Sequence, residues 1–126
     1  MNTFTTPLSA DEAIDALKHG VDAVGLRVVA HINGQANAKL IGQEVPADQI
    51  LEIFRPDFAI RVWEACKPAG HDIPLRIHVY DDQGTTKVAC RMPGTVFAAF
   101  DSPALDAIGA ELDALFAQIL AQVPQA

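Results

Sequence analysis

A chain of 126 residues, half of them hydrophobic and a fifth charged, is long enough to bury one sizeable core and too short for two ordinary domains. Nine Lys and Arg against 16 Asp and Glu leave a formal charge of −7, which opposes non-specific attraction to nucleic acid or anionic lipid, so neither is an expected partner. No segment approaches the roughly 20 apolar residues of a membrane helix and no basic region precedes an apolar run at the N-terminus, which makes the cytoplasm the expected compartment.

In chain order, Asn2 to Thr6 reads as a short strand ended by Pro7. Ser9 stands three positions before Glu12, the capping-box spacing, and Ile14, Leu17, Val21 and Val24 recur at helical intervals, which predicts a helix from Ala10 to about Val24 with Gly25 as its stop. Leu26 to Ile32 is apolar and β-branched enough for a second strand. A short helical stretch between Gln35 and Gly42, a turn around Pro46 and a third strand from Ile50 to Arg55 follow. Pro56 suits the first turn of a helix running to Lys67, with Phe58, Ala59, Val62, Trp63 and Cys66 on one face and Trp63 expected in the core.

Lys67 to Ile73 contains Pro68 and Gly70 and reads as a loop. Pro74 to Tyr80 and Thr85 to Met92 read as the fourth and fifth strands, a hairpin across Asp81 to Gly84. A short helical piece, Thr95 to Phe100, precedes Ser102 and Pro103, which open a long helix whose Leu105, Ile108, Leu112, Leu115, Phe116, Ile119 and Leu120 draw an apolar stripe. The sum is an α+β two-layer sandwich, helices packed on one face of a mixed, about five-stranded sheet with a hairpin of the fourth and fifth strands, in a single domain over 1–126 whose core spans about 9–120. Cys66 and Cys90 are too few for a disulfide framework and are expected as buried free thiols.

Alternation along strands then sorts the side chains. With Leu75, Ile77 and Val79 under the helices, Arg76, His78 and Tyr80 face outward; with Val88, Cys90 and Met92 inward, Lys87 and Arg91 face outward. Taking Val28, Ala30 and Ile32 as inward adds Arg27 and His31 to the outer set. Arg27, His31, Arg76, His78, Tyr80, Lys87 and Arg91 thus make a candidate site for a small anion, since a guanidinium presents a planar fork matched to carboxylate or phosphate. An ordinary solvated sheet face, or a dimer interface whose arginines meet a partner's acids, would use the same residues. A second constellation, Glu64 with His71 and Asp72, and His31 if it reaches the same edge, could supply a general base or metal ligand, but its spacing fits no metal template and a solvated turn is the better account of it. No nucleophile elbow, P-loop or dinucleotide fingerprint is present, so no catalytic residue, metal or cofactor is assigned.

Three pieces in order, Ala38 to Pro46 (AKLIGQEVP), Phe54-Arg55-Pro56 after an apolar strand, and Ile73 to Ile77 (IPLRI) before the hairpin, resemble the domain of unknown function 302 (DUF 302) family from about Ser9 to Leu120. The resemblance implies a compact α+β domain that commonly forms a homodimer, with no reaction or ligand attached. Many relatives carry Asn where Arg55 stands here, so a ligand role for that asparagine does not transfer. Cysteines of one branch fall at Phe54 and Leu75, which removes the basis for thiol or metal chemistry of that kind. The expected function is a non-catalytic cytoplasmic homodimer, a binding or regulatory module for a small anion. A small acid–base enzyme using His31 or His71 with a nearby carboxylate, and a structural protein-interaction dimer, are the alternatives.

Overall fold

Five strands, β1 (Asn2–Thr6), β2 (Arg27–Asn33), β3 (Asp48–Phe54), β4 (Leu75–Asp82) and β5 (Thr85–Cys90), form one sheet in the order β1-β5-β4-β3-β2. The computed structural model describes all of residues 1–126. Every neighbouring pair is antiparallel, so the sheet is antiparallel throughout rather than mixed. The reason lies in the first crossover: helix α1 (Ala10–Ala23) carries the chain from β1 at one edge to β2 at the other, so these strands never pair. The α+β class and the β4–β5 hairpin stand as expected.

Ser9 begins α1 as its sequence spacing requires. Its hydroxyl accepts from the Glu12 N–H at 3.1 Å, and the Glu12 carboxylate accepts from the Ser9 N–H at 2.9 Å, satisfying two donors that the first turn leaves free. Gly25, at φ +75°, ends the helix in a conformation that costs a residue with a Cβ far more. The buried stripe Ala13, Ile14, Leu17 and Val21 lies against Leu51, Ile53, Leu75, Ile77, Val79, Val88 and Cys90 of the sheet, forming the centre of one 24-residue core. Helix α2 (Gly34–Lys39) is capped by the Asn33 carboxamide, which accepts from the Ala36 N–H at 3.0 Å. Helices α3 (Pro56–Ala65), α4 (Pro93–Ala98) and α5 (Pro103–Leu120) complete the layer, each with proline in its first turn where the missing N–H costs nothing.

Three local expectations change. Lys67 to Asp72 is a 3-10 helix rather than a loop, with Pro68 in its first turn. Trp63 is 45% exposed rather than in the core, and the edge of its indole rests against Gly70, where a side chain would crowd it. Cys66 is half-buried, while Cys90 is fully buried and its thiol is pushed up to about 12 by that burial, so slow reaction of Cys90 with a thiol reagent in the native protein is expected.

Surface carboxylates give the fold its acid dependence. Asp57 is held below its usual value of 3.8 by hydrogen bonds from Arg55, at 2.6 and 3.1 Å. Glu111 is held below 4.5 by the paired guanidinium of Arg61, and Glu12 below 4.5 by the Ser9 cap. Lowered carboxylates contribute stability that is full above those ordinary values and lost as the pH falls through the folded ones. The melting temperature is therefore expected to decline on acidification below that range, and to decline less in Glu111→Gln. Equal acid sensitivity of variant and wild type would remove the Arg61–Glu111 pair as a contributor.

Candidate functional site

Register fixes which side chains share the face turned away from the helices, because residues directly opposite one another on antiparallel strands point to the same side. One row holds Ile32, Ile50, His78, Ala89 and Thr3. The row on one side of it holds Asp48, Tyr80, Lys87 and Thr5. The row on the other side holds Ala30, Glu52 and Arg76, and continuing the β4–β5 register one position beyond Cys90 sets Arg91 opposite Arg76.

Around that last row the face is concave. A cleft of about 440 Å³ has Ile50 and Ala89 among its lining, with Glu52, Arg76 and His78 from the sheet and Arg91 from the segment after β5. His71 and Asp72 reach it from the end of the 3-10 helix, and Val96 from α4. Two arginines opposite one another repel, and the sheet offsets only one of them: Arg76 Nε lies 3.4 Å from Glu52, whereas Arg91 has no acidic partner. The arrangement leaves an exposed guanidinium at one end of a polar cleft, with two imidazoles that would add positive charge on protonation. No three His, Cys, Asp or Glu side chains stand together closely enough to hold a metal ion.

The seven residues of the predicted site separate into four groups. Arg76, His78 and Arg91 line the cleft. Tyr80 and Lys87 share the face but lie outside the cleft: the Tyr80 ring stacks on His78 with centroids 4.6 Å apart, and Lys87 pairs with Asp82 at 2.8 Å, which raises the lysine's pKa. Arg27 sits across from Phe54 at the end of the sheet, in a separate groove of about 540 Å³ lined also by Val29, Pro56, Trp63 and Ile73.

His31 is not on this face at all. The β2–β3 register shifts between Val28 and Ala30, so Val29 is an extra residue that reverses the alternation after it. Ala30 and Ile32 consequently turn to the open face, and His31, opposite Leu51, turns to the helix side. There His31 Nε2 lies 2.7 Å from the Gln49 side-chain oxygen, while the Gln49 amide donates to Asp11 at 2.8 Å. Because the Gln49 nitrogen is the donor to Asp11, its oxygen accepts from the imidazole N–H, a fully satisfied chain around a side chain that is 1% exposed.

The second predicted constellation also divides. His71 and Asp72 join the cleft, Glu64 stays exposed on α3, and His31 stands on the opposite side of the sheet. Sequence reasoning missed the acidic residues of the open face. Asp48 accepts from or pairs with His78 at 2.8 Å, Glu52 pairs with Arg76 and Asp82 with Lys87, so the face is a mixed-charge surface rather than a cationic one. The strict alternation Asp48, Ile50, Glu52 along β3 is the signal that finds two of them.

A solved structure of an uncharacterized conserved DUF302 protein from Bacillus stearothermophilus is similar to this one, with a TM-score of 0.86 at 24% identity over 98% of this chain and 97% of that chain. That likeness establishes the shared fold. No curated protein matches. The model of the domain of unknown function DUF302 matches residues 2–123, nearly the full length, and the chain belongs to that family.

Proposed function

We propose that the chain is a non-catalytic binding or regulatory module that accepts a small anion, a carboxylate- or phosphate-bearing metabolite, in the cleft between Arg76 and Arg91, and that it works as a cytoplasmic homodimer. The observation that carries the reading is Arg91: a guanidinium without an acidic partner, set opposite a second arginine in a concave space. An anion seated there relieves the repulsion between the two and takes a planar hydrogen-bonding fork from each. Two free thiols suit a reducing compartment, and no helix is long and apolar enough to cross a membrane.

Thermal shift with inorganic phosphate, citrate and nucleoside monophosphates, at low and moderate salt, tests the cleft, because a ligand of the native state stabilises it by mass action. Removing one charge-assisted hydrogen bond costs roughly 1.5–3 kcal/mol, so Arg91→Gln is expected to weaken the responding anion about ten- to a hundredfold. Arg76→Gln is expected to weaken it further, since it also leaves Glu52 uncompensated beside the anion. If no anion raises the melting temperature, or both variants respond like wild type, the cleft is not an anion site. Loss of a dimer in Arg76→Gln would assign these arginines to an interface instead.

A further inference from the structure

We infer that two copies of this chain dock by inserting the Leu40–Ile41 tip of each into the Trp63 groove of the other, about a two-fold axis that crosses the middle of β2. The segment after α2 is unusual for a net-charged surface: Leu40 is 84% exposed and Ile41 79%, and Val45, four residues on, is 41% exposed. Adjacent apolar side chains left this bare mark a contact surface rather than scattered exposure. The receptor is on the same molecule. The groove formed by Val29, Phe54, Pro56, Ala59, Trp63 and Ile73 is apolar along most of its length, and Val29 and Trp63 on its wall are themselves 59% and 45% exposed.

Topology relates the two features. β2 is an edge strand, with the groove at its Arg27 end and the tip beyond its Asn33 end, separated along the strand by roughly 20 Å. A two-fold axis through the strand's middle exchanges those ends, bringing each tip to the partner's groove and closing the assembly at two copies. Charge agrees with this placement. Arg27 in the groove and Glu44 beside the tip have no ion-pair partner within the chain, and the same operation carries Glu44 of one protomer toward Arg27 of the other.

The inference rests on the homodimer part of the proposed function and is independent of the anion cleft. Sedimentation equilibrium supplies the assembly state, and Trp63, the one tryptophan, reports groove occupancy through its emission. Leu40→Asp combined with Ile41→Asp is expected to raise the dimer dissociation constant about a hundredfold or more and to shift Trp63 emission to the red, with far-ultraviolet circular dichroism unchanged because both side chains are exposed. Glu44→Arg and Arg27→Glu are each expected to weaken the dimer about tenfold, and the double reversal to recover most of that loss. A wild type that stays monomeric at about 100 μM ends the homodimer reading itself. A dimer whose affinity and Trp63 emission ignore the tip variants overturns this interface alone. A double reversal no tighter than either single change likewise overturns it.

Discussion

Phe97→Ala is expected to lower the melting temperature by about 10–20 °C. Phe97 is fully buried and is the largest side chain that the six-residue α4 packs toward α5; a helix this short has almost no stability of its own. Truncating a buried phenylalanine removes its transfer free energy and leaves a cavity that neighbours fill only in part, roughly 3–5 kcal/mol together. In a domain of this size each kcal/mol moves the midpoint by roughly 3–5 °C. Exposed Thr95, two residues away, is the control, since Thr95→Ala should stay within about 0.5 kcal/mol. Because Val96 on the same turn lines the cleft, the Phe97 variant should also weaken the anion binding proposed there. A fall of less than about 3 °C, measured by calorimetry, would mean that α4 is held by something other than this contact.

The second large effect is expected at Gly109, where two physical terms oppose each other. Glycine inside α5 costs about 1 kcal/mol relative to alanine, so propensity alone makes Gly109→Ala stabilising. Packing points the other way: a Cβ at this position would stand 2.9 Å from the Gly94 Cα and 3.4 Å from the Phe97 ring. Gly94 cannot recede easily, because its N–H donates to the Asp113 carboxylate of α5 at 2.8 Å and ties the two helices at that point. Overpacking of this kind costs about 1–3 kcal/mol, so the steric term wins: Gly109→Ala should be mildly destabilising and Gly109→Val should lose roughly 3 kcal/mol or more. Denaturant titration of both variants decides it. A stabilised Gly109→Ala would show that α4 and α5 can separate without loss.

These contacts show why some parts of the molecule are legible in sequence and others are not. Caps and hairpins are local: Ser9 with Glu12, Ser102 with Pro103 and the Asp81 to Gly84 turn signal their structures within a few residues, and the structure has them there. Strand order is not local, since β1 pairs with the last strand, roughly 80 residues on, and no residue in Asn2–Thr6 specifies Val88 as the neighbour of Phe4. The bulge at Val29 escapes for a different reason. In Arg27–Asn33 apolar residues run together without a clean alternation, so one extra residue leaves no break in the pattern, yet it moves His31 through the sheet. Of the residues predicted to face outward, Arg76, His78 and Arg91 come together at one cleft because the hairpin's alternation is clean; His71 and Asp72 join them only through the path of the 3-10 helix. The ion pairs that neutralise most of the face needed β3 assigned to it, as Asp48 and Glu52 show.

The pairing of β1 with β5 has a consequence for how the protein is made. During synthesis the N-terminal strand leaves the ribosome first, but its hydrogen-bonding partner follows roughly 80 residues later, a wait of about 4 to 16 s at ordinary elongation rates. For that interval the backbone of Asn2–Thr6 lacks its native partner and is open to water or to another nascent chain. Three threonines in five residues, with Phe4 the sole large apolar side chain, make the waiting strand a poor template for self-association. The composition of β1 thus suits its life before folding as well as its place at the edge of the finished sheet.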